Sequence, residues 1–133
     1  MKRLLYLVVF ALLVFVSVGC SKTMMSYHDQ NFQYSEGTPT LKQVEKAIVI
    51  AGARRGWVMD KKRSGVMIGT LNVRNHMVQV AIKYNTKAFS ITYRNSVNMK
   101  YNPERKTIHR SYNTWIMNLR NDIQATIPLA VME

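Results

Sequence analysis

Few side chains in this sequence could carry covalent or acid–base chemistry: there are one cysteine, three histidines and seven carboxylates in 133 residues. None of the three histidines, His28, His76 and His109, has a second ligand at the spacing of a metal site, such as four residues along a helix. His109, beside Arg110, could donate a proton, but a histidine in that position is more often a capping or surface residue. No arrangement of Ser, His and Asp suggests a catalytic triad. We therefore expect no metal, no cofactor and no enzymatic activity.

The remaining reactive group, the thiol of Cys20, follows a leader-like segment. Two cations open the chain, an unbroken apolar run extends from Leu4 to Val16, and small residues precede the cysteine. This layout is typical of a secretory signal peptide. An uncleaved membrane helix is the alternative, but Leu4 to Gly19 falls short of the roughly 20 residues that span a bilayer. Cys20 could also remain a free thiol or pair between chains, which is unusual in an exported protein.

The segment Ser17-Val18-Gly19-Cys20 resembles the lipobox of bacterial lipoproteins, although leucine is more usual where Ser17 stands. The resemblance implies that Cys20 receives a thioether-linked diacylglyceride, that the leader is cleaved before it, and that the new amino group is acylated. Two or three acyl chains anchor a protein firmly, because each buried CH2 contributes about 0.8 kcal/mol. Ser21, standing where inner-membrane retention would favour Asp, implies the outer membrane.

The charge balance limits the classes of partner. The chain has 19 basic and 7 acidic residues, and Lys2 and Arg3 would leave with the signal peptide. Such an excess favours anionic surfaces and makes binding sensitive to salt. An exported protein seldom meets nucleic acid, so we expect none as a partner. The remaining candidate partners are anionic lipid head groups, lipopolysaccharide phosphates and acidic glycans. Alternatively, the basic residues form an ordinary solvated surface without a specific ligand.

The pattern of elements predicts one domain. Residues 1–19 form the signal peptide, residues 20–39 the lipidated cysteine and a flexible tether, and residues 40–133 a single periplasmic α+β domain. Thr40 and Gln43 form a capping box that opens a first helix. Period-two alternation then predicts four antiparallel strands, and Thr107 caps a last amphipathic helix that ends near Pro128. The predicted fold is a two-layer sandwich of order α-β-β-β-β-α, with a four-stranded meander and both helices on one face.

These elements place the candidate contact residues on two surfaces. One is the outward face of the sheet, with the candidates Arg74, Lys83 and Arg94. This face would bind an anionic polymer or a protein, or its charges would only keep the domain soluble. The other surrounds an aromatic cluster on the last helix, which is either core or a site for a sugar or lipid head group; its candidates are Trp115, His109, Arg54 and Arg110.

Three segments carry a wider resemblance: VEKAIVIAGARRGW, GVMIGTLNVRNHMVQVAIKY and IHRSYNTWIMNLRNDI. Together they resemble a family of small proteobacterial lipoproteins over roughly Leu41 to Ile123. The resemblance implies export and a single domain, and it implies no particular activity, substrate or catalytic residue. We expect a non-enzymatic, membrane-tethered envelope lipoprotein that binds or helps assemble an envelope protein. The alternative is a binder of anionic glycolipid or cell-wall glycan.

Overall fold

The computed structural model describes residues 21–34 and 37–132. The signal peptide, the lipobox and the lipidation of Cys20 therefore lie outside the described residues. Within these ranges the elements follow in the order β1 (Ser21–Thr23), β2 (Tyr27–Asn31), α1 (Leu41–Ala53), β3 (Trp57–Arg63), β4 (Val66–Val73), β5 (His76–Tyr84), β6 (Ala88–Val97), β7 (Thr107–His109) and α2 (Ser111–Val131).

An antiparallel sheet and two helices share one core. Five strands pair in the order β2-β6-β5-β4-β3, and β1 pairs separately with β7. On one face of the sheet Val78 and Ile82 of β5 are fully buried, opposite Leu71 and Met67 of β4. The same continuous cluster contains the buried side chains of both helices. The α+β class and the antiparallel sheet with two helices are therefore confirmed.

Helix α1 begins as the sequence predicts. The Thr40 hydroxyl accepts the backbone N–H of Gln43 at 3.1 Å, and the Gln43 side-chain oxygen accepts the N–H of Thr40 at 2.9 Å. Two N–H groups that the helix itself cannot satisfy are thereby paired. The start of the helix is fixed, and its apolar stripe faces the core through Val44, Ala47, Ile48 and Ala51.

The segment expected to be a flexible tether, residues 20–39, contains β1 and β2. Strand β2 pairs with β6 and adds a fifth strand to the predicted four-stranded meander. Phe32 stacks on Phe89 with ring centroids 5.6 Å apart, and the side chain of Gln124 donates to the carbonyl of Asn31 at 2.9 Å. Backbone pairing and the side chains of Met24, Tyr27 and Phe32 hold this segment, and the spacing of these three residues gives no alternating apolar pattern.

Two strands of the meander are longer than their alternation predicts. The sequence pattern predicts a turn at residues 60–65, but strand β3 continues to Arg63 because its pairing with β4 persists there with one irregularity. The alternation predicts that the last strand ends at Asn95, whereas β6 reaches Val97 through a bulge that leaves Arg94 as the extra residue. A bulge shifts the alternation of side chains by one position, so the period-two pattern stops before the strand does.

Helix α2 starts later and ends later than predicted. Thr107 does not cap it, because Thr107–His109 pairs with β1 as β7. The helix begins at Ser111 and continues through Pro128 to Val131. A proline removes one backbone donor, but burial of the flanking side chains, Ile127 and Ala130, holds the last turn against the core. Among the described residues, no helix is long and apolar enough to cross a membrane.

Candidate binding site

A groove at one end of the molecule brings the N-terminal segment together with the start of α2. It has a volume of about 460 Å3. Of the predicted candidates, Arg110 and Trp115 both line it. Trp115 is half-buried: it packs against the core and also lines the groove. We call this feature the N-terminal groove; it is lined by Lys22, Met25, Arg110, Ser111, Asn113, Thr114 and Trp115.

A single asparagine fixes the two sides of the N-terminal groove relative to each other. The side-chain oxygen of Asn113 accepts the backbone N–H of Met25 at 2.9 Å, and its side-chain nitrogen donates to the carbonyl of Thr23 at 2.9 Å. The pairing of Ser21 with His109 continues this attachment to the first described residue. The groove is therefore made of two chain segments joined by hydrogen bonds rather than of a loose terminus lying on a surface.

Positive charge dominates this end of the molecule. Among the described residues, neither Lys22 nor Arg110 forms an ion pair with an acidic side chain. Their side chains are exposed, and the only acid in the nearby β6–β7 connection is Glu104. Exposed cations that form no ion pair favour an anionic ligand from solution. The basic residues that line the groove are Lys22 and Arg110.

His109 lies next to the groove and supports the start of α2. Its Nδ1 accepts the backbone N–H of Ser111 at 3.1 Å, and its ring lies 5.5 Å from that of His76. Burial lowers the pKa of His109, and the neighbouring charges of His76, Lys100 and Arg110 lower it further. The ring is thus held as a neutral hydrogen-bond acceptor at the helix start. This is the capping role that the sequence offered as an alternative to proton donation.

The aromatic cluster extends from the groove into the core. Tyr93 stacks on Tyr101 with centroids 4.2 Å apart and meets Tyr112 edge-on at 5.9 Å. Tyr112 is fully buried, and burial raises the pKa of its hydroxyl well above the usual value. Tyr112 therefore belongs to the core, Tyr93 and Trp115 pack against that core while partly buried, and Tyr101 is exposed.

The candidates predicted for the outward sheet face do not form one site. Arg74 is in the β4–β5 turn with φ of 56°, beyond the last residue of β4, so it is not on the face. Lys83 is exposed opposite Ser90, whereas Arg94 lies four residues further along β6, about 13 Å away at the rise of a strand. The guanidinium of Arg94 donates to Gln79 at 3.0 Å. The three cations are dispersed over the sheet.

Arg54 lies apart from the groove as well. It is the exposed C-cap residue of α1 and is not among the residues that line the N-terminal groove. Its neighbour Arg55 pairs with Asp122 of α2 at 2.7 Å, which ties the end of one helix to the middle of the other. Of the two arginines considered for the rim of an aromatic site, only Arg110 lines the same groove as Trp115.

Five groove residues were not predicted as contact residues: Lys22, Met25, Ser111, Asn113 and Thr114. The first two belong to the expected tether, and the pairing of β1 with β7 involves three residues on each strand. Such a short pairing depends on backbone groups, so it leaves no periodic signal in the sequence. The only sequence signal is the proximity of Lys22 and Met25 to Cys20.

Metal-ligand chemistry and known proteins give no further assignment. Within residues 21–34 and 37–132 no group of three His, Cys, Asp or Glu side chains is arranged to hold a metal ion. No protein-family model, curated protein or solved structure matches the chain.

Proposed function

We propose that this chain is a non-enzymatic envelope lipoprotein, anchored through acylated Cys20 and acting as a binding or assembly-assisting module on the periplasmic side of the outer membrane. One observation carries the proposal. Ser21, the residue that follows Cys20 in the sequence, pairs with His109 of β7. Acyl chains on Cys20 would therefore hold a defined end of the domain at the bilayer.

The surroundings of the perturbed titratable groups support binding rather than catalysis. Burial, together with a hydrogen bond to Glu45 and its charge, raises the pKa of Tyr84 to about 12. That hydroxyl donates to Glu45 at 3.1 Å, which joins the sheet to α1. His109 accepts a bond at the start of α2. Each of these groups connects elements of the fold, and they do not converge on one cavity as an acid and a base in a catalytic site would.

Metabolic labelling tests the anchor. Cells are supplied with a clickable fatty acid, and the wild-type chain is compared with Cys20→Ala and with the neighbouring control Ser21→Ala. We expect label on the wild type and the control and none on Cys20→Ala, with loss of Cys20→Ala from the membrane fraction. Equal labelling of all three chains would overturn the proposed anchoring.

The alternative function is binding of anionic glycolipid or cell-wall glycan. It is supported by a cleft of about 330 Å3 on another part of the surface, where Arg63 and Lys83 lie beside Asn85 and Asp29. Crosslinking in intact cells followed by mass spectrometry separates the two functions. A recurrent crosslink to one envelope protein favours assembly. Salt-sensitive retention on glycolipid or glycan, without such a protein, favours the alternative.

A further inference from the structure

The N-terminal groove lies at the place where the proposed anchor would enter the fold. Consecutive Cα atoms are about 3.8 Å apart, so Cys20 stands one residue from β1. The partner of Ser21 in β7 is His109, and Arg110 of the groove follows it directly. Lys22, on the other side of the groove, is two residues from the proposed acylation site. A bilayer reached by Cys20 is therefore within reach of the groove.

The residues of the groove match the boundary between head groups and acyl chains. Trp115 has an apolar ring with one polar N–H, a combination that favours the membrane interface. Met25, which is 42% exposed, offers a flexible apolar side chain beside it. Lys22 and Arg110 supply charge for phosphate, and Arg110 can bind it through two parallel N–H groups. This combination of apolar and cationic side chains suits an anionic bilayer, whose head groups are negatively charged and whose interior is apolar.

We propose that the N-terminal groove binds the phosphate head group of an anionic phospholipid in the same leaflet that holds the anchor. This inference rests on the proposed anchoring at Cys20. Lys22 and Arg110 bind the phosphate, while Trp115 and Met25 enter the interface beside it. Binding there fixes the orientation of the domain, because the anchor and the groove make two separate attachments to one surface.

The rigidity of the groove strengthens this second attachment. Asn113 holds the backbone at Thr23 and at Met25, so the side chains of the N-terminal segment and of α2 keep their relative positions. A preformed site loses less freedom on binding than a disordered segment does. Anchoring also holds the groove next to the bilayer, which raises the effective concentration of lipid head groups around it. A site of low intrinsic affinity is therefore occupied.

The test uses the lipidated full chain in vesicles and reads the fluorescence of Trp115. The vesicles contain phosphatidylcholine with or without phosphatidylglycerol, and both kinds carry brominated acyl chains that quench an interfacial tryptophan. Trp57 is 3% exposed, and comparison with Trp115→Phe assigns the quenched signal. The groove variant is Lys22→Gln with Arg110→Gln. The matched control is Lys42→Gln with Lys87→Gln, which removes the same charge from exposed positions outside the groove.

We expect Trp115 to be quenched in vesicles with phosphatidylglycerol, and raised salt to reverse the quenching. At the usual contribution of a cation near an anionic surface, the groove variant should lower the ratio of docked to undocked protein by about 30-fold. The control should stay close to wild type. Equal quenching without phosphatidylglycerol, or equal behaviour of the groove variant and the control, would overturn the proposal.

Mass spectrometry of the Cys20 peptide in the same samples keeps the two proposals separate. If Cys20 is acylated and the groove variant behaves like its control, the groove inference fails and the anchoring stands. If Cys20 carries no acyl chain while the groove variant still loses the phosphatidylglycerol-dependent quenching, the anchoring fails, and with it the shared leaflet, whereas binding of the head group by the groove stands.

Discussion

Tyr112 and Tyr84 are both buried, but only one of the two hydroxyls has a partner. The hydroxyl of Tyr84 donates to Glu45 at 3.1 Å. The hydroxyl of Tyr112 makes no hydrogen bond to any residue that the structure describes. A buried polar group without a partner costs about 1 to 3 kcal/mol, whereas a bond to a charged acceptor contributes about 1.5 to 3 kcal/mol. The same chemical change at the two positions should therefore have opposite effects.

We expect Tyr112→Phe to leave the free energy of unfolding unchanged or to raise it by about 1 kcal/mol, because it removes an unpaired hydroxyl and keeps the ring. Tyr84→Phe should lower the same quantity by about 1.5 kcal/mol or more. Urea unfolding of both variants measures the difference. A loss of stability in Tyr112→Phe as large as in Tyr84→Phe would show that the Tyr112 hydroxyl has a partner.

At the scale of residues, the sequence indicated which side chains are candidates for binding, but not which of them lie close together in the fold. Arg54 and Arg110 were equal candidates for the rim of the aromatic site, and only the structure shows that Arg110 lines the same groove as Trp115. The distance between Lys83 and Arg94 could not be predicted, since it depends on strand register and on the bulge at Arg94. Arg74 lies in the β4–β5 turn with a positive φ. Tight hairpin turns of this kind usually contain glycine, and because this turn has none, the sequence did not place Arg74 in it.

At the scale of elements, the packing of α1 against β3 depends on Gly52. In sequence this glycine only weakens the last turn of a helix. In the structure it is buried, and a Cβ added there would lie 2.5 Å from the Cε of Met59 and 3.2 Å from the Cβ of Trp57. The missing side chain is what lets the helix approach the strand so closely.

Gly52→Ala should therefore lower the free energy of unfolding by about 1 to 3 kcal/mol, the usual range for overpacking, although alanine is the better helix former. Thermal or urea unfolding measures the change. The control is Ala53→Gly at the exposed neighbouring position, which should cost about 1 kcal/mol through helix propensity alone. A more stable Gly52→Ala protein would mean that the side chains of Met59 and Trp57 make room for the added methyl group.

The elements that could be predicted are those whose residues carry their own signal. The capping box of Thr40 and Gln43 fixed the start of α1, and clean alternation identified β4 and β5. Strands β1 and β2 could not be identified, because their stability comes from partners more than 50 residues away in sequence: β7 for β1 and β6 for β2. The polar segment gives no pattern until those partners are known.

At the scale of the whole molecule, one continuous core joins the sheet and the helices. Its two tryptophans lie in different surroundings: Trp57 is buried at the start of β3, and Trp115 borders the N-terminal groove. A single core predicts cooperative unfolding in which separate probes change together. The sequence length already indicated one domain, but only the contacts between helices and sheet show that the core is undivided.

The variants Trp57→Phe and Trp115→Phe leave one fluorescent reporter each. Within each variant we expect the fluorescence transition in urea to coincide with the circular dichroism transition. Both variants should give the same m-value, because m follows the surface exposed on unfolding. A fluorescence transition of Trp115 that clearly precedes the loss of helical signal would show that the end of the molecule around β1 and β7 unfolds as a separate unit.

The pairing of β1 with β7 also has a mechanical consequence. A force pulling on the N-terminus acts first on the three residue pairs of this small sheet and on the two hydrogen bonds of Asn113. If these contacts give way and β2 then peels from β6, residues 21–31 extend to about 35 Å of free chain. Under load, the N-terminal segment would thus unfold and extend first, while the four remaining strands of the sheet stay paired.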